Sequence, residues 1–117
     1  QENTAQSAYA AFKKLLDGGA MPDAVLTANN EMVMGVLRCL YEKNIRVPDD
    51  ISLICYEDSS LCGNVTPALS AVNIQKEVIG HTALDFLLDR INGFKGEARS
   101  LTIEPYLVMR DSILERG

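Results

Sequence analysis

The chain has 117 residues, with 16 acidic and 11 basic side chains and a formal charge of −5 at pH 7. That length fits one domain with a usable core, and a composition that is 47% hydrophobic argues against intrinsic disorder. The acidic balance makes the chain a poor direct binder of nucleic acid, and no apolar run approaches the ~20 residues of a membrane span.

The first residue is Gln1 rather than Met, and no signal-peptide pattern follows it. The expectation is a processed or excised piece. Residues 3–17 predict a helix, with Asn3 or Thr4 as its cap and Ala8, Phe12, Leu15 and Leu16 as its apolar stripe. Gly18 and Gly19 stop it, and Met21-Pro22-Asp23 make a turn. The apolar run 24–28 predicts a strand buried on both faces. Asn29 and Asn30 then open a second helix over 31–43. Met32, Val33, Val36, Leu37 and Leu40 are its buried side, and Asn44 ends it in the left-handed region.

Val47-Pro48-Asp49-Asp50 is a turn, 51–56 a second strand, and 57–67 a polar loop. Residues 70–74 predict a third strand. A long helix follows over 76–92, with Val78, Ile79, Ala83, Phe86, Leu87 and Ile91 on one side. Residues 93–96 are its exit, and 101–103 and 106–109 are extended segments. Helices alternating with apolar strands define an α/β fold with a parallel sheet. In such sheets ligands bind beyond the carboxyl ends of the strands.

Two polar sites stand at those ends: Asn29-Asn30 after the first strand and Glu57-Asp58 after the second. An Asn amide supplies acceptor and donors, and a carboxylate supplies strong acceptors. Together they suit the hydroxyls of a sugar or the polar edge of a nucleobase. The alternative is purely local: Asn29 or Asn30 caps the second helix, and Glu57-Asp58 shapes a loop.

Cys39, Cys55 and Cys62 are odd in number and have no CxxC spacing, and His81 is the single histidine. Zinc sites want close ligand pairs, so no metal or other cofactor is expected. Cys39 and Cys55 lie in apolar runs and read as buried free thiols, the cysteine usage fits a reducing compartment, and His81 reads as structural. No GxGxxG, P-loop or G-x-S-x-G pattern is present, so no enzyme is expected.

The stretch TANNEMVMGVLRCLYEKNIRVPDDISLICYEDSSL resembles the effector-binding domain of the LacI/GalR family of bacterial transcriptional regulators. That family carries A-N-D-x-x-A-x-G followed by R-V-P-x-D-I-S-V-V-G-[FY]-D-D. Asn29 matches the Asn and Gly35 the Gly. Arg46-Val47-Pro48 with Asp50-Ile51-Ser52 match the turn into the strand, and Tyr56-Glu57-Asp58 match [FY]-D-D. Thr66-Pro67-Ala68-Leu69-Ser70 is similar to T-P-P-L-T, and the tail from Tyr106 to Ser112 is similar to the L-V-x-R-x-S ending. The pieces run in order over about residues 4–112.

The resemblance implies a flavodoxin-like lobe of a periplasmic-binding-protein-like domain, with helices on both faces of a parallel sheet. It implies only the C-terminal part of a two-lobed effector domain, with 24–72 as the core of the C-terminal lobe. Helix 76–92 would cross to pack on the absent first lobe, and strand 106–110 would return. Without that lobe the apolar side of helix 76–92 is exposed, which implies that the piece dimerises, swaps the helix or folds it differently.

By the same resemblance, Asn29 and Glu57 hydrogen-bond the effector, Tyr56 walls the pocket, and Ile74 or Lys76 lines the hinge. The effector is a small molecule, a sugar or related polyol. The working form is a cytoplasmic homodimer with no membrane contact, and operator DNA is touched only through an absent N-terminal helix-turn-helix. The second helix (Met32, Met34, Leu37, Cys39, Leu40, Tyr41) is apolar on more than one face, which suits either a subunit contact or burial within one subunit.

Glu57 replaces the usual Asp, Asn30 the usual Asp, and Cys55 the usual Gly; Ile74 stands where several relatives are polar. The alternative is a piece of a periplasmic sugar-binding protein, against which the cysteines and the Arg-Asp-Ser ending weigh.

Overall fold

The structure is a computed structural model, and it describes residues 2–115. The first helix, α1 (Ala5–Asp17), starts at Thr4, whose hydroxyl accepts from the Ser7 N–H at 3.2 Å while Ser7 Oγ accepts from the Thr4 N–H at 3.1 Å. This reciprocal pair satisfies two backbone donors that a helix start leaves open. Ala8 and Phe12 are the buried residues of α1, and Leu15, expected in the stripe, is 44% exposed. Strand β1 (Ala24–Thr27) leads into α2 (Asn30–Glu42), which ends with Asn44 at φ 55, in the left-handed region as expected.

Helices α1 and α2 pack directly on one another because Gly35 has no side chain. A Cβ there would lie 2.0 Å from the Ala5 carbonyl oxygen. The glycine of the A-N-D-x-x-A-x-G resemblance is thus a contact point between two helices.

Strand β2 (Ser52–Cys55), the short helix α3 (Ser60–Asn64), strand β3 (Ser70–Asn73), helix α4 (Lys76–Ile91) and strand β4 (Tyr106–Val108) complete the order. The sheet order is β1-β2-β3-β4; the first two pairings are parallel and β3–β4 is antiparallel. One core gathers Phe12, Val33, Val36, Leu40, Leu53 and Leu69 with Cys39, Cys55 and Cys62. It is a mostly parallel α/β lobe, the architecture expected from the alternating elements.

Two expectations need correction, the cover of β1 and the character of the loop 57–67. Strand β1 is not buried on both faces: it ends the sheet, and Leu26 is 63% exposed. An edge strand has a neighbour on one side only, so its apolar run lacks cover. In β2, Leu53 and Cys55 are buried while Ser52 and Ile54 are half-buried, so helix cover is stronger on one sheet face than the other. The polar loop 57–67 contains α3, which brings Cys62 into the core. Residues 101–103 form no strand, and β4 alone returns to the sheet.

The tail after β4 fills the gap left where β3 starts later than β2. Ser112 is fully buried there; its hydroxyl accepts from the Ser70 N–H at 2.8 Å and donates to the Leu53 carbonyl at 2.5 Å. The Leu53 N–H donates to the Ser112 carbonyl at 2.8 Å, and the Asp111 N–H to the Ala68 carbonyl at 3.0 Å.

Helix α4 buries none of its residues. Its start is Gln75 at φ 56, a left-handed residue that turns the chain away from the sheet. The expected stripe residues Val78, Ile79, Leu87 and Ile91 are exposed, as are Leu84 and Leu88. Past the helix, Arg99 folds back over Phe86 at 4.3 Å and Phe94 at 4.6 Å, and pairs with Asp89 at 2.9 Å.

Candidate functional site

Strands β1 and β2 run parallel, so their polar carboxyl ends emerge together. Asn29 caps α2: its Oδ1 accepts from the Met32 N–H at 2.9 Å, and its Nδ2 donates to the Asn3 carbonyl at 3.3 Å. The capping alternative is therefore realised, and it occupies one acceptor and one donor of the amide. Asn30 points the other way. Its Oδ1 faces the Ser59 hydroxyl at 3.2 Å and the thiols of Cys62 and Cys55 at 3.5 and 3.7 Å.

Glu57 follows β2 and is held at both oxygens. Oε2 accepts from the Asn30 N–H at 3.3 Å, and Oε1 from the Lys76 ammonium at 2.5 Å. Lys76 first, and the α2 N-terminal N–H second, hold the Glu57 carboxyl below its ordinary pKa. The extra methylene of Glu over Asp matters here, because it carries the carboxylate out to the first residue of α4.

Asp58 lies deeper, its side chain 14% exposed. Its Oδ1 pairs with Arg110 Nη1 at 2.8 Å, and its Oδ2 accepts from Asn73 Nδ2 at 3.3 Å. Arg110 Nη1 donates its hydrogen bond to the Leu69 carbonyl at 2.8 Å, so its contact with Asp58 Oδ1 is an ion pair rather than an aligned hydrogen bond. Asn73 Oδ1 accepts from the Gln75 N–H at 2.8 Å, and Gln75 Nε2 donates to the Glu104 carbonyl at 2.7 Å. A continuous polar chain thus runs from the tail, through β2 and β3, to the outgoing and returning segments around α4.

A cleft opens on this chain. It is lined by Asp58, Asn73, Ile74, Gln75, Lys76 and Tyr106, among others. Ile74 and Lys76 line it, and Glu57 reaches it through Lys76. Asn29 and Tyr56 are not among its lining residues, and Tyr56 is 48% exposed.

Asp58 was visible in sequence as part of the polar end of the second strand and as the second carboxylate of the [FY]-D-D match, but without a ligand role. Asn73, Gln75 and Tyr106 were missed as site residues. Asn73 carried a usable signal, since it is the polar carboxyl end of a third strand and the same rule applies to it.

The sequence matches the family described as periplasmic binding protein-like domain over residues 1–113. The chain belongs to that family, and it takes the form this domain has in LacI-type transcription regulators. It is 36% identical over 110 residues to the HTH-type transcriptional repressor PurR of Escherichia coli, covering 94% of this chain and 32% of that protein. Among solved structures it is similar to the transcriptional regulator CelR in complex with cellobiose. That match has 35% identity and a TM-score of 0.84, and covers 93% of this chain and 33% of the other. It is similar as well to the lac repressor dimer bound to operator and the anti-inducer ONPF, at 28% identity and a TM-score of 0.84, covering 96% of this chain and 39% of the other. The chain spans about a third of the length of the curated relatives it matches.

Proposed function

We propose that this chain is the effector-sensing and dimerisation part of a bacterial LacI-type transcriptional regulator, and that its cleft takes a sugar or related polyol. The observation that carries the reading is the pairing of Glu57 with Lys76 and of Asp58 with Arg110 and Asn73, two sets of polar contacts beside the point where α4 leaves the sheet. A polyol presents hydroxyls that both donate and accept. Carboxylates on one side with an ammonium and an amide on the other meet both requirements without a catalytic base. The cellobiose-bound relative supports a sugar.

In this reading Glu57, Ile74 and Lys76 contact the effector, with Asp58 and Asn73 beside them. Asn29 and Tyr56 contribute from the rim. Helix α4 packs its apolar side on a second lobe, and the effector sits between the two lobes. Filling the cleft favours one lobe orientation, and effector and operator change each other's affinity reciprocally. A second copy covers the outer side of α2, where Met34 and the 85% exposed Tyr41 stand over an apolar groove that includes Leu37, Ile45, Val47 and Pro67. The protein works in the cytoplasm, and operator contact belongs to an N-terminal DNA-reading region outside this chain.

The test begins with the coding sequence upstream of Gln1. A helix-turn-helix followed by another α/β lobe is expected, and a signal peptide would convert the reading to extracytoplasmic solute capture. The complete protein is then titrated calorimetrically with cellobiose, ribose and a purine base. Binding of a sugar, weakened at least about tenfold by Glu57→Gln and by Asp58→Asn, is expected. Binding of the purine base with no response to either sugar would overturn the sugar assignment.

A further inference from the structure

Past the carboxyl end of β2 stands a pair of thiols that the functional reading does not use. Cys55 ends β2 and Cys62 stands in α3; both are fully buried and both are free. They converge on one oxygen, Asn30 Oδ1, at 3.7 and 3.5 Å. Cys62 Sγ also lies 3.4 Å from the Glu57 carbonyl oxygen. The Ser59 hydroxyl approaches the same Asn30 oxygen at 3.2 Å. An amide oxygen has two lone pairs, so three donors crowd two places, and the Cys62 thiol has the Glu57 carbonyl as a second acceptor.

Two sulfurs that share an acceptor from different elements are neighbours, and the Cys62 thiol is close enough to influence the ionisation of Cys55. Helix α3 is a compliant carrier for one of them. It is five residues long, its Ser59 hydroxyl does not cap the helix's own N–H groups, and Gly63 has open space around it.

We propose that Cys55 and Cys62 form a reversible dithiol–disulfide pair whose state is transmitted to the effector site. This goes beyond the functional reading above and does not depend on which effector binds. The oxidant is a small hydroperoxide, of which hydrogen peroxide is the simplest. Its O–O bond breaks, a sulfur–sulfur bond forms, two electrons pass from the sulfurs to the oxygens, and the two thiol hydrogens leave in two waters.

Burial raises the Cys55 pKa and so slows its oxidation, because the thiolate is the attacking form, and it excludes large or charged oxidants, which leaves a small neutral one acting slowly. On closure, Asn30 Oδ1 loses both thiol donors and keeps Ser59. The Asn30 N–H that holds Glu57 Oε2 belongs to the same residue, so the change reaches the carboxylate at the cleft.

The third cysteine is an internal control. Cys39 is buried in α2, near Lys43 and Asp17, and shares no acceptor with the other two.

The test uses the wild-type chain. It is treated with hydrogen peroxide, denatured, alkylated with N-ethylmaleimide and mapped by mass spectrometry. The expected result is one alkylated cysteine, Cys39, and a Cys55–Cys62 linked peptide that dithiothreitol abolishes. The Cys39→Ser chain should give the same linked peptide.

Amide NMR signals of Asn30 and Glu57 should move on oxidation and return on reduction. Three alkylated cysteines, a disulfide to Cys39, or irreversible over-oxidation without the linked peptide would each overturn the pair. A linked peptide with unmoved Asn30 and Glu57 signals would overturn its connection to the site. Because the reading rests on the wild-type chain, a Cys55→Ser or Cys62→Ser variant that fails to fold does not affect it.

Discussion

Glu57 shows how one methylene redirects a side chain. Its carboxylate is long enough to join the α2 N-terminus to Lys76 at the head of α4. Folding lowers its pKa from the usual 4.5, with Lys76 as the largest cause. A carboxyl lowered on folding adds stability above its unfolded pKa, and that contribution is lost as pH falls through the folded value. In Lys76→Met the Glu57 pKa should therefore rise toward 4.5, read by carboxyl-carbon NMR titration. The acid side of the stability profile should flatten. An unchanged Glu57 titration would mean the ion pair does not hold in solution.

Asn29 carries a separate prediction at this scale. Removing its α2 cap in Asn29→Ala should cost about 1 kcal/mol of stability by urea unfolding. Both polar strand ends were legible in the sequence because they are local in chain order. Which oxygen faced a cap and which faced a cleft was not, since that depends on Asn3, Lys76 and Arg110, all distant in sequence.

At the level of elements, periodicity located all the longer helices and three of the strands, because each is written in a few neighbouring residues. Elements whose environment depends on another segment were read less well. The apolar run of β1 resembled a central strand, yet it stands at an edge because nothing among the described residues pairs with its other side. Helix α3 is too short to show a period, and only the burial of Cys62 explains its place.

The tail gives the sharpest case. The Arg-Asp-Ser ending resembled a family signature, but its physical work is to stitch β2 to β3. Ser112→Ala would leave the Ser70 N–H and the Leu53 carbonyl without their buried partner. An unsatisfied buried group costs about 1–3 kcal/mol, so a loss in that range or above is expected in urea unfolding. Ser52→Ala, whose hydroxyl accepts from the Leu114 N–H in an exposed position at 3.1 Å, should cost well under half as much.

For the whole molecule, size and shape disagree in an informative way. A compact chain of this length has a radius of gyration near ~13 Å, whereas the value here is 18.5 Å, with extents of 60 × 34 × 23 Å. The excess comes from α4, which leaves the sheet at left-handed Gln75 and buries none of its residues. Arg99, Phe86, Phe94 and Asp89 clasp the segment after the helix onto the helix itself, which shields part of one side. Leu84, Leu87, Leu88 and Ile91 remain open, and a contiguous apolar surface of this kind drives association in water.

The chain alone should therefore self-associate, with a mass by light scattering that rises with concentration. Leu87→Glu combined with Ile91→Glu should shift it toward monomer while leaving unfolding of the sheet unchanged, because neither residue touches the core. A monodisperse monomer at every concentration, with an ordered and solvated α4, would instead mean that the helix needs no cover and that its apolar side does not mark a missing lobe.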